Sequence, residues 1–327
     1  MGYLAALLSA LLFGANGSLA KIVIESGITA GQLTFLRSLG AAVLAALALA
    51  AVDRNAFRIS PRSLLGTAIL GLVGVAAVQW LYAVAITLLP VGIALLLEYL
   101  AVPIVALVAW LVLHEGVRAS LWVGIGLVVA GLAVVAQLGF APLDALGMAV
   151  ALLAAIALAA YFLIGQLGVA TISPLGMAFW SMSFSALFWA VFSGWWTIRP
   201  AALLAPLPAH AGVPTLPLWA GLALVIVLGS FAPYLLSYAA IRRLGATRAG
   251  VLATAEVVFA FAAAWAFLGE TIEPLQLIGA AIVLAGIVTA QLARPGTAID
   301  ADLAMAAPHP GQIARTGAGD GGVGGRS

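Results

Sequence analysis

"PVGIALLLEYLAVPIVALVAWLVL", Pro90 to Leu113, carries one carboxylate, Glu98, in an otherwise uncharged run. A membrane-spanning helix needs about 20 mostly apolar residues, so this stretch is long enough to cross a bilayer. Glu98 then falls about 12 Å along it at 1.5 Å of rise per residue. A charge at the centre of a spanning helix costs roughly 2.5 to 3.5 kcal/mol, and such groups usually face a cavity or a partner.

The rest of the chain reads the same way. Of 327 residues, 65% are hydrophobic and 7% charged, too few polar side chains to cover a soluble domain. Ten apolar stretches fall near 3–24, 32–52, 64–88, 91–113, 119–138, 143–166, 174–197, 217–241, 246–268 and 274–292, separated by short polar or Pro/Gly breaks. None alternates as the strands of a β-barrel would. The first stretch lacks the basic region of a signal peptide and is long enough to span. The fold class expected is all-α integral membrane.

Basic residues collect on the cytoplasmic side of a membrane protein. With the N-terminus inside, the inner loops hold Arg54, Arg58, Arg62, Arg118, Arg242, Arg243 and Arg248, and Arg294, Arg315 and Arg326 follow the last span. Arg199 alone falls in an outer loop. This asymmetry supports an even number of spans with both termini cytoplasmic. The Gly-, Ala- and Pro-rich residues 294–327 read as a disordered cytoplasmic tail.

Sliding the chain against itself by 155 residues lays "LVAWLVLHE" (Leu107–Glu115) on "AAAWAFLGE" (Ala262–Glu270). Trp110 meets Trp265, Glu115 meets Glu270, Gly124 meets Gly279 and Gly131 meets Gly286. Earlier in each half the offset shrinks to 144, where "ITAGQLTF" (Ile28–Phe35) faces "ISPLGMAF" (Ile172–Phe179). The repeats run over 1–140 and 141–293. Five crossings in each half is an odd number, so the second is inserted upside down. Inverted repeats are common in secondary transporters, with the substrate site between the halves near the midplane.

The stretches "LLFGANGSLAKIVIES", "LTFLRSLGAAVL", the duplicated endings "WLVLHEGV" and "WAFLGETI", and "WVGIGLVVAGLAVV" with "LIGAAIVLAGIVTA" resemble the EamA family of the drug/metabolite transporter superfamily, over about residues 3 to 292. The resemblance implies a bundle of ten helices in which the first four and the sixth to ninth surround a central cavity. It implies export or import of amino acids, other metabolites or drugs. It also places basic residues at positions such as Lys21 and Arg37 without fixing their role.

Two carboxyl groups lie deep in apolar spans, Glu98 and Glu256. Under the 155 offset Glu256 faces Ala101, three residues from Glu98, and three residues is nearly one helical turn. Both therefore can line one cavity from opposite halves and are candidates for proton coupling, the alternative being a hydrogen-bonded brace between helices. Arg37 is a candidate for binding a substrate carboxylate, for pairing with a membrane glutamate, or for snorkelling to the interface. Lys21 lies nearer its helix end. The remaining substrate-binding candidates are Asn16, Gln79, Trp80, Tyr82, Tyr99, Trp180, Tyr234 and Tyr238, with interfacial belts the alternative for the aromatic ones. Pro103 and Pro233 fall inside spans four and eight, where a missing N–H bends a helix or gives it a hinge. Glu115 and Glu270 close their helices and read as architectural. Gly124, Gly131, Gly279 and Gly286 allow close helix contact, within the fold or between subunits.

A secondary transporter exporting a small metabolite, an amino acid or an amphipathic compound, with proton coupling, is the function expected; a facilitative channel, a lipid scramblase and an intramembrane enzyme are the other classes. For an enzyme the three histidines, His114, His210 and His309, lie far apart without metal spacing, so neither a catalytic residue nor a metal site is expected. No nucleotide-binding signature is present, which argues against ATP-driven pumping by this chain. No cofactor is expected. The partners expected are a small-molecule substrate and the lipid bilayer, not nucleic acid given the net charge of +2, with the protein a monomer or homodimer. The location expected is the bacterial inner (plasma) membrane, multi-pass.

Overall fold

The structure is a computed structural model that describes residues 2–111, 119–137, 143–168, 172–210, 215–244, 249, 252–271 and 273–292. Glu115, His114, Arg118, Arg248, His309 and the tail from 294 lie outside the described residues. The named elements are all helical: α1 (Gly2–Glu25), α2 (Ala30–Val52), α3 (Pro61–Leu88), α4 (Val91–Glu98), α5 (Ala101–Leu111), α6 (Ala119–Gln137), α7 (Ala145–Gly168), α8 (Pro174–Phe192), α9 (Leu218–Leu244), α10 (Ala255–Leu268) and α11 (Pro274–Leu292). Six of these helices are long and apolar enough to cross a membrane, and shorter apolar helices accompany them. Leu47, Leu153, Leu187 and Val191 are exposed on the outer faces, as lipid contact requires of a protein that buries its backbone polarity in helices. This is an integral, multi-pass membrane protein.

Local chemistry sets the helix starts. Thr29 caps α2 in a capping box, its Oγ1 accepting from Gln32 N at 3.2 Å while Gln32 Oε1 accepts from Thr29 N at 3.0 Å. Ser173, the residue 144 positions on, caps α8 by accepting from Gly176 N at 3.2 Å. The repeat thus reaches down to single caps.

Helix packing is exchanged between the halves in the same way. α1 packs on α9 and α10, and its counterpart α7 packs on α3 and α4. α2 packs on its own counterpart α8, and α6 on α11. In this last pair a β-carbon at Gly124 would sit 2.7 Å from the Gly286 carbonyl oxygen, and one at Gly286 would sit 2.7 Å from that of Gly124. The sequence left open whether these glycines serve contact within the fold or between subunits; here they bring α6 and α11 together.

The fourth span is read from sequence as one helix bent or hinged by Pro103; it is interrupted between α4 and α5 at Tyr99–Leu100, directly after Glu98. Pro103 has no N–H for the carbonyl four residues back, Tyr99, and its ring crowds that oxygen. Val102 N donates to Tyr99 O instead, at 3.1 Å. In the other half the same short bond recurs 155 residues on, from Val257 N to Thr254 O at 3.2 Å, at the start of α10. Val258 stands there where Pro103 stands here, so the interruption belongs to the fold and not to proline alone.

Two further irregularities match. π-helical turns occupy Leu70–Ala76 in α3 and Val227–Phe231 in α9. Such turns widen a helix by one residue and often mark functional sites.

Candidate functional site

The two helix interruptions and the π-turn of α3 border one cavity of about 100 Å³, and the π-turn of α9 holds the Arg37 side chain that lines it. Each wall has a distinct chemistry. α1 contributes Ser9, Phe13 and Asn16; α2 contributes Arg37; α3 contributes Gln79 and Tyr82; the broken span contributes Glu98 and Tyr99. From the second half come Tyr161 and Phe162 on α7, Tyr234 and Ser237 on α9, and Glu256 on α10. Glu98 and Glu256, read from sequence as facing one space from opposite halves, do line the same cavity.

Arg37 is buried, with 4% of its surface exposed. Its Nε donates to Ser230 Oγ at 2.9 Å and its Nη2 to the Gly229 carbonyl at 2.7 Å. Sequence explains why that carbonyl is there to accept: Pro233 has no N–H to give to the residue four positions back, which is Gly229. Proline, π-turn and arginine thus form one local device. Arg37 is thus buried inside the bundle and held by α9, with no ion pair to a glutamate among the described residues. Lys21 pairs with Glu270, and His210 lies against Glu25.

Gln79 and Tyr234 are 155 residues apart, and Gln79 Nε2 donates to Tyr234 Oη at 3.3 Å. Two positions equivalent by the repeat therefore touch each other, which places them where the halves meet. Ser38 and Ser185 form a second link between α2 and α8 beneath them, Oγ to Oγ 2.8 Å.

Glu256 Oε2 lies 2.7 Å from the Tyr99 hydroxyl, which also lies 2.9 Å from the Ala253 carbonyl. Glu98 is 5% exposed and its Oε2 has no hydrogen-bond partner among the described residues. Asn16 Oδ1 and the Tyr82 hydroxyl are likewise without hydrogen-bond partners among the described residues. Buried polar atoms are nearly always hydrogen-bonded, by protein, water or ligand. Three partnerless groups on one cavity mark it as a place where water or a ligand completes the bonding. Opposite them, Phe13 meets Tyr234 edge to face at 5.0 Å and Tyr161 meets Tyr234 at 6.2 Å, forming an aromatic wall.

Four candidates are placed elsewhere. Lys21 Nζ donates to Glu270 Oε1 at 2.6 Å, and Glu270 Oε2 accepts from Val91 N at 2.9 Å. This joins α1, the segment after α10 and the start of α4, in keeping with the architectural reading of Glu270. Trp80 faces outward, 37% exposed, against Trp189 at 5.6 Å. Trp180 meets Phe179 edge to face and stacks with Phe184, away from the cavity. Tyr238 is buried behind Tyr161 and Tyr234. Conversely, Ser9, Phe13, Tyr161, Phe162, Ser230 and Ser237 escaped the sequence reading. Tyr161 was within reach of it, since the repeat places it one residue from the counterpart of Asn16.

A second, apolar cavity of about 270 Å³ lies between α1 and α9, lined by Leu12, Leu19, Leu207, Leu224, Leu228 and Phe267. Asn16 and Gly229 form the wall where it approaches the first.

A bundle of apolar helices around a polar cavity, in two matching halves, is the form of a membrane carrier. The EamA-like transporter family matches the chain twice, over residues 1–137 and 145–290, and the chain belongs to it. A comparison with curated proteins gives no match. One solved crystal structure, described only as that of a protein, is similar over 89% of this chain and 97% of its own, at 20% identity and a TM-score of 0.57. That likeness concerns the fold.

Proposed function

We propose that this chain is a secondary transporter of a small zwitterionic or amphipathic metabolite, exporting it and coupled to protons through Glu98 and Glu256. The observation that carries the reading is the cavity itself: a buried guanidinium and two carboxyl groups share it without pairing with one another. A guanidinium suits a substrate carboxylate, a carboxylate suits an ammonium, and the aromatic wall takes an apolar body. Carboxyl groups removed from water change protonation more readily than they hold an unpaired charge, which is what proton exchange asks of them.

In this reading the chain crosses ten times in two inverted halves that meet at Gln79 and Tyr234, with both termini cytoplasmic and the bacterial inner membrane as its location. The protein works in this account as a monomer or homodimer. A cavity of about 100 Å³ is smaller than the roughly 300 Å³ of an ordinary ligand pocket, so substrate entry requires it to widen. The helix interruptions and π-turns are where the bundle can change shape at low cost.

The test is uptake into proteoliposomes under an imposed pH gradient, using candidates found by thermal stabilisation of the purified protein. Saturable, gradient-driven flux that Glu98→Gln uncouples supports the carrier. Non-saturating conductance would favour the channel reading, and lipid exchange without solute flux the scramblase.

A further inference from the structure

The interruption before α10 leaves one backbone group to be served from outside its own helix. Val257 N would ordinarily donate to the carbonyl four residues back, Ala253, but it donates to Thr254 O instead. The Tyr99 hydroxyl, 2.9 Å away, supplies the donor that Ala253 lacks. Tyr99 itself sits at the matching interruption, its own carbonyl accepting from Val102 N. One phenol therefore bridges the two breaks, and the same phenol oxygen lies 2.7 Å from Glu256 Oε2.

A phenol has one proton, so Tyr99 donates to one of these oxygens at a time. We propose that Tyr99 is a positioning residue that passes the protonation state of Glu256 to the interruption of α10. When Glu256 is protonated, its O–H donates to the Tyr99 oxygen and the Tyr99 proton serves Ala253. When Glu256 gives its proton to water in the cavity, the carboxylate draws the Tyr99 proton to itself, because a hydrogen bond to an ionised acceptor is roughly twice as strong as a neutral one. Ala253 then loses its outside donor, and its segment is free to rearrange. Tyr99 stays neutral throughout; the O–H bond of Glu256 is the one that breaks.

The other ionisable groups facing this space are Glu98 from α4, Arg37 from α2, Tyr82 from α3, Tyr161 from α7 and Tyr234 from α9. α1 presents Asn16 and Ser9 and no titrating group to the cavity, and Glu270, beyond the far end of α10, is held by Lys21. The inference deepens the proton-coupled reading and rests on Glu256 exchanging a proton.

Hydrogen exchange of the full chain in lipid nanodiscs, read over Thr254–Val258 across pH and corrected for the chemical pH dependence of exchange, tests it. In the native sequence protection falls about three- to ten-fold as pH rises, the range set by one net hydrogen bond. Glu256→Gln, which still donates to Tyr99, stays protected at every pH. Tyr99→Phe shows no step and stays at the unprotected level. A step that survives in Tyr99→Phe or in Glu256→Gln overturns the proposal, as does its absence from the native protein. Should Tyr99→Phe not fold, the native and Glu256→Gln profiles decide alone. Exchange is read without substrate, so a failure of proton-driven transport leaves this result separately legible.

Discussion

The α6/α11 pair and the central cavity are both built from equivalent positions of the two halves, yet they treat those positions in opposite ways. In α6/α11 the repeat preserves residue identity, glycine for glycine, because helix backbones in contact leave no room for anything else. Around the cavity the repeat preserves the backbone, with caps, π-turns and interruptions in register, while the side chains differ. Gln79 answers Tyr234, Arg37 answers Ser181, Glu98 answers Ala253 and Glu256 answers Ala101. Packing keeps the halves alike; chemistry makes them different.

The strongest way to break this contrast is at the glycines. Gly286→Leu drives a side chain into the Gly124 carbonyl and is expected to cost about 3 kcal/mol, seen as a lower unfolding temperature in detergent. The fraction that folds should bind substrate as the native protein does. Arg37→Met acts on the other side. It removes a buried cation that no carboxylate neutralises among the described residues but leaves the Gly229 carbonyl without its donor, so the unfolding temperature should fall less than in Gly286→Leu. Substrate affinity should fall about 10- to 100-fold, as expected for a lost charge-assisted hydrogen bond. An equal loss of stability in both variants would dissolve the distinction.

Glu98→Gln is expected to change stability by less than about 1 kcal/mol, since the amide fills the same volume. It should remove the pH-gradient dependence of uptake while exchange of substrate for substrate persists. The smallest effects belong to the caps. Thr29→Ala should cost about 1 kcal/mol and Ser173→Ala less, measured by thermal unfolding. The two caps differ because Gln32, the reciprocal member of the Thr29 box, also donates to Gly194 O and Thr197 Oγ1 and ties α2 to the end of α8.

Much of this was legible in the sequence. Apolar length marked the spans, Trp, Glu and Gly coincidences marked the repeat, and Glu98 and Glu256 stood out because charge is rare in such surroundings. The direction of uncharged side chains was not. A helix that is apolar all round has no polar stripe to say which face looks inward, so Trp80 and Trp180 read no differently from Phe13 and Tyr161. Pro103 flagged the break at Tyr99, but nothing local flags the one at Thr254. Ser230 and the Gly229 carbonyl became a guanidinium site only once α2 and α9 were set side by side.

The central claim is that substrate binds in the cavity between the halves, with the cationic Arg37 as the anchor for its carboxylate. Thermal stabilisation of the purified protein by a panel of amino acids and related metabolites, repeated on Arg37→Met, tests it most directly. The account predicts a compound that raises the unfolding temperature of the native protein and leaves that of the folded Arg37→Met variant unmoved. The same stabilisation in both proteins would contradict it.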